Sequence, residues 1–102
     1  MSKRLAFLEK LVADGKADSF GHYAYALELK SLGRVDDAVA AFATLRAKDA
    51  AYVPMYLMCG TMLLDAGRSD QAREWLVQGE ENASRAGDVK ALGEIRDALA
   101  RV

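Results

Sequence analysis

The sequence predicts an all-α fold of antiparallel helix pairs, about six helices over residues 1–102 in one domain, and three observations carry that expectation. Apolar residues recur at helical spacing almost throughout, and no window alternates as a strand would. Gly15, Gly33, Gly67 and Gly87 fall between the periodic segments, where a helix C-terminus calls for a residue at ease in the left-handed conformation. The chain also repeats itself, since LKSLGRVDDAVAAF at 29–42 returns as LLDAGRSDQAREWL at 63–76.

Taken in order, a first helix is expected over 2–14, with Leu8, Leu11 and Val12 on its apolar side. Asp18 and Ser19 then suit the start of a helix over 19–32, by capping and by their charge at the positive end of the helix dipole. Asp36 and Asp37 do the same for 35–48. The only proline, Pro54, stands where a helix over 53–66 begins, a place that needs no backbone N–H. Ser69 and Asp70 open 69–86, and Asp88 opens 88–101. This last helix carries Leu92, Ile95, Leu99 and Val102 on one side, with Lys90, Glu94, Asp97 and Arg101 elsewhere, as a helix facing solvent would.

The repeat has a fixed period: Ala26 and Gly60, Leu29 and Leu63, Gly33 and Gly67, Asp36 and Asp70, and Ala38 and Ala72 are each separated by 34 residues, the spacing of stacked helix pairs. His22, Tyr25, Ala26, Leu29, Gly33, Ala38 and Phe42 in one copy, and Tyr56, Cys59, Gly60, Leu63, Gly67, Ala72 and Leu76 in the next, resemble the tetratricopeptide repeat pattern. The resemblance implies a right-handed solenoid with repeats at 19–52 and 53–86, an N-terminal half-unit helix at 2–14 and a capping helix at 88–101. Small residues at the crossing let the paired helices approach, so Ala26 is expected to face Ala38, and Gly60 to face Ala72. His22 departs from the family's tryptophan, and Ala50 and Ser84 replace its later proline. Gly79, inside a long helix, costs about 1 kcal/mol against alanine and implies a close neighbour.

Composition narrows the function. With 14 basic and 15 acidic residues mixed along the chain and a net charge of −1, there is no basic stripe to neutralise a run of phosphates, so nucleic acid is not an expected partner. Glu9 and Lys10 interrupt the first apolar stretch before it reaches signal-peptide length, and no other window is long enough to span a bilayer. A cytoplasmic protein without membrane contact is expected. Cys59 is the only cysteine and His22 the only histidine, so neither a disulfide, a metal site nor a catalytic triad can be assembled from them. Both are expected to pack in the core, as are Trp75, Leu76 and Phe42. No glycine-rich phosphate loop is present, and neither an enzyme nor a cofactor is expected.

A second apolar stripe on the first helix of each repeat remains unexplained by packing. Tyr25, Ala26, Leu29 and Leu32 form one side, while Phe20, Tyr23, Leu27 and the residues at the helix end, Lys30 and Ser31, cluster opposite. In the next repeat the corresponding stripe is Pro54, Leu57, Met58, Thr61 and Leu64. The resemblance implies that this side lines a concave groove holding an extended or helical peptide. Tyr23, Leu27 and Met58 stand where the family's carboxylate-clamping members carry lysine and asparagine, so that specificity is not expected. The expected role is to hold an apolar protein or peptide partner, with self-association as a homodimer through the same stripe as the alternative; the competing structural reading is that the terminal helices curl over the stripe and bury it within the monomer. Tyr23 and Leu57 are expected to point away from the contact within each repeat and to be dispensable for folding.

Overall fold

A computed structural model describes residues 2–102. Among the described residues it contains six helices and no strand: α1 (Lys3–Ala13), α2 (Ser19–Ser31), α3 (Val35–Lys48), α4 (Pro54–Asp65), α5 (Ser69–Ala86) and α6 (Val89–Leu99). Each lies within two residues of its expected bounds at either end.

The ends have local causes. Ser2, Asp18 and Asp88 cap α1, α2 and α6, their side-chain oxygens accepting from the backbone N–H of Leu5, Gly21 and Ala91. Helices α3 and α5 begin differently from the expectation: Arg34 and Arg68 occupy the cap positions without a side-chain cap bond. Asp36, Asp37 and Asp70 instead lie in the first turn, where their charge meets the dipole. Pro54 opens α4 as expected. Gly33 and Gly67, one period apart, end their helices at φ +74° and +76°, which a side chain would strain.

Backbone contacts divide the chain into two compact units, 1–49 and 50–102. In the first, α1 packs on α2 and α2 on α3. Ser19 Oγ donates to Asp49 Oδ2 at 2.7 Å, tying the start of α2 to the chain just past α3 and so fixing the pair as antiparallel. The core here is Leu5, Leu8, Ala26, Leu29, Ala38, Phe42 and Leu45, and each large side chain so buried stabilises by about 1.5–3 kcal/mol. Leu11 and Val12 are only half-buried. Leu32 departs from expectation too: it caps the C-terminus of α2 and is 46% exposed.

In the second unit α4 packs on α5, and α6 packs on both. Met55, Tyr56, Cys59, Leu63, Ala72, Leu76 and Ile95 are buried, with Trp75 against the Tyr56 ring at a centroid distance of 6.1 Å. Tyr56 OH donates to the Ala50 carbonyl and accepts from Asn82 Nδ2, joining the start of α4 to the end of α5. Gly60 is buried at the α4–α5 crossing, as is Ala72, and the space a side chain at position 60 would take is filled by Leu76, one turn beyond Ala72. A Cβ at position 60 would lie 2.5 Å from the Leu76 Cγ. Gly79 gives the close approach expected of it, to Tyr56 and to Ile95 of α6.

Candidate functional site

The stripe residues of α2 lie in the first unit. Phe20 is 66% exposed, and Tyr23, Leu27 and Lys30 are half-buried. Tyr23 is not free of the intra-repeat contact: its ring meets that of buried Phe42 on α3, centroids 6.4 Å apart and tilted by 59°. A tyrosine is long enough to reach round its own helix, which a projection of Cα directions does not anticipate. His22, one residue earlier, is buried as a packing residue. Burial pushes its pKa below the ordinary 6.5, the Lys48 cation acts in the same direction, and Asp18 opposes them.

On α4 the stripe is better defined. Leu57, Met58 and Thr61 form one wall of a cleft of about 340 Å³, while Pro54, exposed, and Leu64, half-buried, lie outside its lining. The opposite wall is α6, contributing Glu94, Asp97 and Ala98, with Arg101 in the turn that follows it. Sequence reasoning placed Glu94, Asp97 and Arg101 on a solvent face, because it took this helix as the one that closes the array toward solvent. With α4 as a second partner, that polar side becomes the rim of a cleft. Alanine at 98, which is buried, is the signal that a second contact was needed.

The cleft has an apolar floor and an uneven charge. Leu57, Met58 and Ala98 supply the apolar surface. Arg101 is occupied by Asp65 at the end of α4, at 3.2 Å. Thr61 Oγ1 donates to the Leu57 carbonyl at 2.8 Å, so its hydroxyl presents acceptor lone pairs and no spare hydrogen. A smaller hollow of about 160 Å³ lies on the first unit, beside the exposed Phe7. Among the described residues no group of three His, Cys, Asp or Glu side chains converges to hold a metal ion, and no helix is long and apolar enough to cross a membrane.

Paired helices with small residues at their crossings, repeated at one period, define an all-α helical-repeat protein. The tetratricopeptide repeat domain protein of Salinibacter ruber, in its crystal structure, is similar at a TM-score of 0.75 and 33% identity, over 83% of this chain and 94% of that one. Its solution structure matches equally well, over 82% and 85%. The chain belongs to the tetratricopeptide repeat family. A Bordetella parapertussis protein solved in solution shares the fold across 99% of this chain and 88% of its own, with a TM-score of 0.83 at 21% identity. Neither a family model nor a curated protein sequence matches the chain.

Proposed function

We propose that this chain is a noncatalytic protein-interaction module that holds an apolar peptide or helix on the stripe of its first helices. Leu57, Met58 and Thr61, with Pro54 and Leu64 beside them, supply that surface on the second unit, and Phe20, Tyr23, Leu27 and Lys30 on the first. The observation that carries this reading is the α4–α6 cleft, whose apolar lining stays accessible after α4, α5 and α6 have packed. Space of that size takes a few aliphatic side chains and is at the lower end of ligand sites in general. Self-association through the same surface is the second reading, favoured by the exposed ring of Phe20.

Sedimentation over a range of concentrations separates the two, since a partner-binding module stays monomeric. Leu57→Glu, compared with the wild type in thermal melts and in peptide binding, tests the surface. The expected result is an unchanged melt with binding lost, because a partner's apolar face would have to desolvate a carboxylate. An unfolded variant would make Leu57 part of the core and remove the proposal.

A further inference from the structure

We propose that the α4–α6 cleft selects a basic partner: a peptide whose apolar side chain enters between Leu57, Met58 and Ala98 while lysine or arginine on either side of it meets Glu94 and Asp97. This rests on the peptide-binding reading above and gives it a chemical class.

Charge is the reason. Glu94 and Asp97 are exposed, lie on the cleft wall one turn apart, and have no ion-pair partner among the described residues, although Lys90 stands four residues before Glu94 and Arg101, just past the helix, four residues after Asp97. Arg101 turns instead to Asp65 on α4. The cleft and its end therefore hold three carboxylates against one guanidinium, and two negative charges stay uncompensated. Thr61 strengthens the bias, because with its hydrogen committed to Leu57 it can only accept. An anionic ligand would meet repulsion from two carboxylates and no available hydroxyl donor. A cationic one would gain two ion pairs and an acceptor, around an apolar anchor that Met58 can adjust to fit. Complementary charge of this kind sets which partner binds and how fast more than how tightly.

The test uses the full chain and two synthetic helical peptides with the same pair of leucines at i and i+4, flanked by lysine in one and by glutamate in the other. Binding is followed by fluorescence anisotropy and by the backbone amide shifts of Leu57, Thr61 and Ala98. The lysine peptide is expected to bind and to shift those amides, with the glutamate peptide binding at least about tenfold more weakly. Glu94→Gln with Asp97→Asn should weaken the lysine peptide by about threefold to thirtyfold, the range for two exposed ion pairs. Raising the salt to about 1 M, where screening acts within about 3 Å, should do the same without any substitution. Equal binding of the two peptides would overturn the charge selection and leave the peptide-binding reading standing. If neither peptide moves the cleft amides, both fall. Shifts of those amides on dilution of the protein alone would show a second copy in the cleft and overturn the basic-peptide proposal.

Discussion

Gly79 on α5 lies so close to Tyr56 on α4 that a Cβ at position 79 would stand 2.5 Å from the Tyr56 Cβ. An atom attached directly to the backbone cannot rotate aside, so the two helices would have to part. Position 79 is one period after Leu45, and position 56 one period after His22. The first unit thus carries leucine and histidine at the places where the second carries glycine and tyrosine.

Two helical glycines should therefore respond to alanine with opposite signs. Gly79→Ala is expected to destabilise by about 1–3 kcal/mol, overpacking outweighing the gain in helix propensity. Gly93→Ala in α6, where a Cβ would meet nothing within 4 Å, should stabilise by about 0.5–1 kcal/mol. Urea melts of the two variants check both.

Gly60→Leu should cost at least about 1–3 kcal/mol, since the first added carbon already meets the wholly buried Leu76. Lys90→Gln, on the exposed start of α6, should change stability by less than about 0.5 kcal/mol. Adding Leu76→Ala to Gly60→Leu should recover part of the loss, a coupling that a double-mutant cycle reads directly. Strictly additive losses would mean that the two sites do not touch.

Tyr23→Glu and Leu57→Glu occupy equivalent positions and should differ in effect. The first removes a ring contact with buried Phe42 and should lower stability by about 1–3 kcal/mol, whereas the second alters a cleft wall and should cost well under that. Thermal melts of the two single variants decide it. Equal losses would show that Leu57 contributes to the core as much as Tyr23 does.

His22 should make stability depend on pH. Its folded pKa is lowered by burial and by Lys48, so the unfolded chain binds the proton more readily. The His22 contribution is then complete above about 6.5 and is lost as pH falls below that through the folded value. Urea midpoints measured from about pH 7 to 5 should decline, and His22→Gln should flatten that part of the profile. An unchanged slope in the variant would assign the effect to carboxylates.

Helix positions were legible because their signals are local: Asp18 and Asp88 cap within one turn, and Gly33 and Gly67 end helices by backbone conformation alone. The crossing was legible because Ala26, Ala38, Gly60 and Ala72 repeat at one period. Tyr23 was misjudged because a helical projection records where a side chain starts and ignores how far it reaches. The polar rim of the cleft was missed for a different reason. Whether Glu94 and Asp97 face bulk water or a neighbour depends on where α6 docks, and that depends on Ile95 entering the space beside Gly79, a contact between helices with no periodic signature.

The buried positions of Trp75 and Cys59 also make half of the protein self-reporting. The sequence has one tryptophan and one cysteine, both in the core of residues 50–102. Indole emission and thiol labelling consequently follow the melting of that half alone, while far-ultraviolet dichroism follows all the helices. Coincident curves mean that the two halves let go together. An emission transition that precedes the dichroic one means that residues 50–102 open first, exposing the cysteine while α2 and α3 are still paired.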